Sequence, residues 1–186
     1  MRPENRNVRR SWVKHHKRRN YAILALVTAL LVIIIIGVAS IPPYGVQVGQ
    51  QAPDFSISDI NNANFHLAAM KGKPALLEFM ATSCGACANQ APILSQLYSI
   101  NGMHVEFVSI SIDPTTDQPS VLTTYATTYN NPWTWIRDTS TPPIGQTYGV
   151  TGTPTMFILD SDGIVRNRFN RVTDLQTLDA ACSAVM

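Results

Sequence analysis

A chain of 186 residues is sized for one domain plus an appendage, and three cysteines are too few for the disulfide framework of a small secreted scaffold. Charge is split unevenly: residues 1–20 carry eight Lys/Arg against Glu4 alone, and residues 41–186 carry six Lys/Arg against eleven Asp/Glu. A basic run such as Lys14-His15-His16-Lys17-Arg18-Arg19 directly ahead of an apolar segment orients a membrane helix more often than it binds nucleic acid, so no nucleic-acid partner is expected.

From Tyr21 to Ile41 the chain is almost wholly apolar, and roughly 20 residues at about 1.5 Å each match a bilayer core of about 30 Å. The expectation is one transmembrane helix, residues 21–41, with the tail 1–20 in the cytoplasm and residues 42–186 outside it, where disulfides persist. A cleaved signal peptide is the rival reading, since Val38-Ala39-Ser40 supplies small residues, but the apolar run exceeds the about 7–15 residues usual for one. Ile41-Pro42-Pro43-Tyr44-Gly45 then breaks the helix into a short stiff linker. Val46–Phe55 and Asn64–Leu67 read as peripheral strands around the Asn61-Asn62 turn.

The apolar run Ala75–Met80, interrupted only by Glu78, reads as a buried strand. Small, helix-compatible residues from Gly85 to about Ile100 read as a helix that begins inside Cys84-Gly85-Ala86-Cys87. Cys84 therefore stands at a helix N-terminus, where unpaired N–H groups and the helix dipole stabilise a thiolate and lower the thiol pKa from about 8.5. Cys87 lies one turn on, close enough to close a disulfide, so the two form a redox pair.

His104–Ile112 alternates and then becomes a continuous apolar strand, reached by a right-handed crossover and ending at Asp113-Pro114. Ser120–Tyr129 reads as a Thr-rich second helix, Trp133–Arg137 as a short strand, and Ile144–Tyr148, after Pro142-Pro143, as a short helix. Thr155–Asp160 and Ile164–Phe169 form a hairpin around Ser161-Asp162-Gly163, and Thr173–Ala184 is the closing helix, capped by Thr173. Leu175, Leu178, Cys182 and Val185 recur at helical spacing, which favours Cys182 as an apolar core residue, with an intermolecular or regulatory disulfide as the alternative. The order β-α-β-α-β-β-α describes an α/β fold with a mixed sheet covered by helices.

These residues resemble the active site of the thioredoxin superfamily. An acidic residue six positions before the first cysteine and a proline five after the second are family features, and Glu78 and Pro92 occupy those places. Gly152-Thr153-Pro154-Thr155 ahead of Met156-Phe157-Ile158-Leu159-Asp160 resembles the family's cis-proline loop and following strand. Val48-Gly49-Gln50-Gln51-Ala52-Pro53-Asp54-Phe55, with Leu67 and Lys71-Gly72-Lys73-Pro74, is similar to the opening of membrane-anchored thiol–disulfide oxidoreductases of the TlpA/ResA type. Two positions depart from the pattern: Ser83 stands where tryptophan is usual, and Gly85-Ala86 lacks the common proline.

The resemblance implies a thioredoxin-like fold and a catalytic pair in which Cys84 attacks a substrate disulfide and Cys87 resolves the mixed disulfide. It implies a cis Thr153–Pro154 bond beside the cysteines, leaving a main-chain edge for a substrate peptide. Met80, Met156, Tyr148 and Trp133 are candidates for apolar surface there, with core packing as the plainer role. If its strand is central, Glu78 is buried beneath the site, its pKa is raised above about 4.3, and it takes the proton from Cys87; the plainer alternative is a surface carboxylate on an edge strand. Partners would be protein disulfides, apocytochrome cysteines among them, and a membrane or soluble thiol electron donor; no cofactor or metal is expected.

From the residues alone, the two thiols admit other chemistries. Zinc would need two more ligands, and Cys182, His66 and His104 are not at paired spacing. Copper delivery stays open, because two thiolates bind Cu(I) and Met80 and Met156 are soft donors. The opening segment also resembles that of peroxiredoxin-like thiol peroxidases, but their Pro-x-x-x-Thr-x-x-Cys signature is absent: Thr82 is two, not three, positions before Cys84. A disulfide oxidase of the same fold differs only in direction, and Gly85-Ala86, which offers no positive group to hold the thiolate, favours reduction.

Overall fold

The computed structural model describes residues 46–186 together with residue 23 and residues 26–33, which are helical. The chain divides into two units, Met1–Pro43 and Tyr44–Met186. Among the described residues no helix is long and apolar enough to cross a membrane. The basic tail and the linker lie outside the described residues, as does most of the expected span Tyr21–Ile41.

The second unit is organised on β3 (Ala75–Met80), whose six residues are all buried. A strand enclosed on both faces needs the near-continuous apolar run that this sequence supplies. It pairs in parallel with β4 (Glu106–Ser111) and antiparallel with β6 (Thr155–Leu159). β5 (Thr134–Arg137) adds in parallel outside β4, and β7 (Val165–Phe169) antiparallel outside β6, giving the order β5-β4-β3-β6-β7. The parallel β3–β4 pair requires a crossover, supplied by α1 (Gly85–Asn101). A separate hairpin of β1 (Ser56–Ser58) and β2 (Asn64–His66) precedes the main sheet.

Alternation along β3 separates two cores. Leu76 and Met80 face Leu94 and Leu97 of α1, Leu122 of α2 (Pro119–Tyr129), and Leu178 and Cys182 of α4 (Leu175–Ser183). Leu77 and Phe79 face Phe65, Leu67, Tyr148 and Ile144, the last in the one-turn α3 (Ile144–Thr147). The closing-helix thiol, Cys182, is fully buried and free, and burial followed by the nearby Asp179 pushes its pKa up to about 12.

Two expectations need correction. Val46–Phe55 is not a strand: Gly49 adopts a positive φ of 90°, Gln47 and Gln50 close a turn, and Gln51 makes only an isolated bridge to Ile164. The strand begins after Phe55, because Pro53 has no N–H to donate and Asp54 is occupied by the Ala68 N–H and by His66. The cap of the closing helix is Asp174, which accepts from the Thr177 N–H at 3.0 Å, and not Thr173. Thr173 is held elsewhere: its N–H donates to Gln90 Oε1 at 2.7 Å and its carbonyl accepts from Gln90 Nε2 at 3.2 Å.

α2 forms despite its threonines, and the reason is local. Thr123, Thr124, Thr127 and Thr128 each donate the hydroxyl to the carbonyl four residues back, so they do not draw the backbone out of the helix. Asn130, at φ 54°, ends it in the left-handed conformation.

Candidate active site

After Met80 the chain turns through Ala81-Thr82-Ser83, and the Cys84 N–H closes that turn on the Ala81 carbonyl at 3.1 Å. Cys84 is the N-cap of α1, with extended backbone, and its sulfur accepts the Cys87 N–H at 3.1 Å. A helix N-terminus has N–H groups without partners inside the helix, and here one of them is turned on a sulfur. Cys84 and Cys87 form a disulfide with their Cα atoms 5.2 Å apart. Access separates the two: Cys84 is partly exposed and Cys87 is fully buried.

The Thr153 carbonyl lies 3.4 Å from Cys84 Sγ, and the Thr153–Pro154 bond that follows is cis. The fold thus brings together Cys84, Cys87, Thr153 and Pro154, although 69 positions separate Cys84 from Thr153. Gly152 is exposed beside them, so the loop backbone stays open to solvent.

Glu78 sits on the α1 side of β3, between Leu76 and Met80, and is 2% exposed. Its Oε2 accepts the Ser109 hydroxyl at 2.6 Å, and Ser109 in turn accepts the Trp133 indole N–H at 2.9 Å. Burial pushes the Glu78 pKa up to about 7, because removing a carboxylate from water costs more than one hydroxyl returns. A carboxyl group poised there exchanges a proton near neutral pH. The edge-strand alternative for Glu78 is set aside, since β3 is central.

Met80, Met156 and Tyr148 are fully buried and Trp133 nearly so. They pack the core and do not line a substrate surface. Beside the Cys84 turn, Thr82 and Ala88 instead border a cavity of about 480 Å³, closed on its α2 side by Val121, Tyr125 and Tyr129. A second cavity, of about 440 Å³, lies at the start of β3 among Leu67, Lys71 and Ala75, remote from the cysteines. Among the described residues no three His, Cys, Asp or Glu side chains gather to hold a metal ion.

Sequence reading passed over Ser109, Ser111 and Asp117. One signal was available: Ser109 and Ser111 place hydroxyls on alternate positions of a strand whose other residues after Glu106 are apolar, the period that puts both on one face.

Comparison with known proteins assigns this arrangement. The Redoxin family model matches residues 47–181, which span the sheet, both cysteines and the cis-proline loop. The chain belongs to the Redoxin family. Among curated relatives, this redoxin is 30% identical over 123 residues to the thioredoxin-like protein YneN of Bacillus subtilis, covering 66% of this chain and 71% of YneN. It is 31% identical over 120 residues to the thiol-disulfide oxidoreductase ResA of Bacillus thuringiensis, covering 64% of this chain and 67% of ResA. Its fold is similar to that of a secreted Mycobacterium tuberculosis disulfide oxidoreductase homologous to E. coli DsbE, with TM-score 0.62 and 27% identity over 70% of this chain and 95% of that one. A thiol:disulfide interchange protein of Chlorobium tepidum, 23% identical with TM-score 0.65 over 75% of this chain and 97% of that one, shares the fold. The redoxin is a thiol–disulfide oxidoreductase of the TlpA/ResA type, and Cys84–Cys87 is its Cys-x-x-Cys pair.

Proposed function

We propose that this redoxin is a membrane-anchored reductase: residues 1–20 lie in the cytoplasm, residues 21–41 span the membrane, and residues 42–186 reduce disulfides of secreted proteins or apocytochromes outside the cytoplasm. The anchoring rests on the basic tail ahead of an almost wholly apolar run. The division of labour rests on one observation: Cys84 is reachable and receives an N–H on its sulfur, while Cys87 is buried behind it.

In the reaction, the Cys84 thiolate attacks one sulfur of the substrate disulfide, and the other substrate sulfur leaves as a thiolate. Cys87 then loses its proton, attacks Cys84 Sγ, and releases the second substrate thiolate. The substrate gains two electrons and the redoxin ends as the Cys84–Cys87 disulfide. A membrane or soluble thiol donor returns two electrons to reopen it. Glu78 is the base that takes the Cys87 proton, and the Thr153–Pro154 backbone lies alongside the substrate peptide.

Trapping tests the assignment. Cys84→Ser abolishes exchange, and Cys87→Ser accumulates a covalent adduct with its substrate; equal trapping by both variants rejects it. The reduction potential tests direction: a value near that of thioredoxin, about −270 mV, supports a reductase, and one near about −120 mV makes the protein an oxidase.

A further inference from the structure

Asp117 lies in the connection between β4 and α2 and is fully buried. Its Oδ2 accepts the Thr82 N–H at 3.0 Å and the Ser111 hydroxyl at 2.5 Å, and its Oδ1 accepts the Thr82 hydroxyl. The carboxylate is itself held in place: the Asp117 N–H donates to the Asp113 carbonyl at 2.9 Å, and Ser111 Oγ accepts the Asp113 N–H at 3.2 Å. Both polar groups that Thr82 can donate, main chain and side chain, are therefore fixed on one carboxylate from the connection that follows β4. Thr82 is the middle of the turn that carries Cys84.

We propose that Asp117 is a positioning residue for thiol–disulfide exchange: it clamps the Cys84 turn and places beside it a buried negative charge that favours the disulfide form of the pair. The proposal rests on the reading of Cys84 as the nucleophile. An anion near a thiol opposes formation of a second anion, and the loss is greater where water is excluded. Passing from disulfide to the reduced pair takes two electrons and, above the Cys84 pKa, one proton, leaving Cys84 as a thiolate; a less stable thiolate makes that reduction less favourable. The clamp thus biases the pair towards donating electrons, a bias that Gly85 and Ala86 do not oppose.

The neighbouring groups leave the charge standing. Glu78 on β3 is a second buried carboxyl group and Tyr125 on α2 a half-buried phenol whose hydroxyl is buried, and neither is a cation. Arg137 at the end of β5 reaches the same connection, but its Nε donates to the Pro114 carbonyl at 2.8 Å. Asp113 accepts the Thr116 N–H within the loop. The ion pairs of the described residues, His66–Asp54, Lys73–Glu106 and Arg166–Asp160, involve other side chains.

Asp117→Asn isolates the charge. An amide oxygen in the Oδ2 position still accepts from Thr82 N–H and Ser111, and the amide nitrogen in the Oδ1 position donates to the Thr82 hydroxyl, which is able to accept. The measurement is the pH dependence of iodoacetamide alkylation of the reduced full-length protein, with the modified cysteine identified by mass spectrometry, together with equilibration against glutathione. The expected result is about tenfold more Cys84 thiolate at pH values below its pKa. At pH values above the Cys84 pKa, where the thiolate is the reduced species, the pair should also become about tenfold easier to reduce, a shift of about 30 mV for a two-electron couple. A purely structural role predicts a lower melting temperature with the Cys84 titration and glutathione equilibrium unmoved, and that result overturns the proposal. Thr82→Val gives an independent arm: it keeps the charge but removes a hydroxyl that partly neutralises it, so the Cys84 thiolate fraction falls, and a rise or no change overturns the proposal. If Cys87 is the thiol alkylated first, the reading of the cysteine roles fails, and this is distinguished from an unmoved Cys84.

Discussion

The Ser109 hydroxyl lies 2.6 Å from Glu78 Oε2, and the two residues are register partners across the parallel β3–β4 ladder. The relationship explains how a carboxyl group is accommodated in the middle of a buried strand. Glu78 faces the helices together with Leu76 and Met80, and its partner on the other side, Met156, offers no donor. Ser109 supplies the hydrogen bond a buried carboxyl group requires, and Trp133 completes Ser109. One neutral donor does not restore what water gave, so the group titrates near 7 and not near 4.5.

Glu78→Gln keeps size and polarity but cannot accept a proton. Resolution of the mixed disulfide should slow by about 10- to 100-fold, in the lower part of the range for general-base catalysis, while the first attack by Cys84 changes less. Stopped-flow kinetics over a pH series separate the two steps. An unchanged resolving rate and pH profile remove the base role and leave Glu78 a structural residue.

The same group makes stability depend on pH. Between about pH 4.5 and 7 the folded protein keeps the Glu78 proton that the unfolded chain has released. The folded state therefore binds more protons, and stability falls as pH rises through that window. At about 1.4 kcal/mol per pH unit the cost is on the order of 3 kcal/mol, all of it absent in Glu78→Gln. Urea melts of both proteins at pH 4.5, 6 and 8 test this: the wild type should weaken relative to the variant as pH rises, and parallel curves would show that Glu78 is ionised in the fold.

Topology is tested by labelling. A membrane-impermeant maleimide added to intact cells holding the reduced protein should modify Cys84. Cys182 does not compete, because it is buried and its thiol resists ionisation. Labelling seen only after lysis, with the pair shown to be reduced, would mean that residues 42–186 face the cytoplasm.

What was legible in the sequence was whatever is encoded locally. The β3 run, the Cys-x-x-Cys at a helix start and the hairpin around Asp162-Gly163 each depend on neighbours a few positions away, and the observed β3, β6 and β7 fall within the expected strands. What was not legible depends on pairing at a distance. Gln90 reaches Thr173 across 83 positions and moves the helix cap to Asp174. Asp117 binds Thr82 across 35 positions, and Ser109 meets Glu78 through a strand register that periodicity does not supply.

Ser109→Ala separates the chemical from the structural use of that register. The hydroxyl does two things, donating to Glu78 and accepting the Trp133 indole N–H at 2.9 Å. Loss of the donor removes the one contact that lowers the Glu78 pKa, so the group titrates above its present value of about 7. Fewer molecules then carry an ionised base at neutral pH, and the pH profile of the resolving step moves to higher pH. Loss of the acceptor leaves a buried indole N–H unpaired, at a cost of about 1–3 kcal/mol. The two effects come apart in the double variant Glu78→Gln, Ser109→Ala. There the stability loss from Trp133 remains, while no titrating group is left for Ser109 to influence. The expected pattern is a shifted resolving profile in the single variant, no further shift when Ser109→Ala is added to Glu78→Gln, and destabilisation by Ser109→Ala in both backgrounds. If the same profile shift appears with Gln at position 78, the titrating base is some other group.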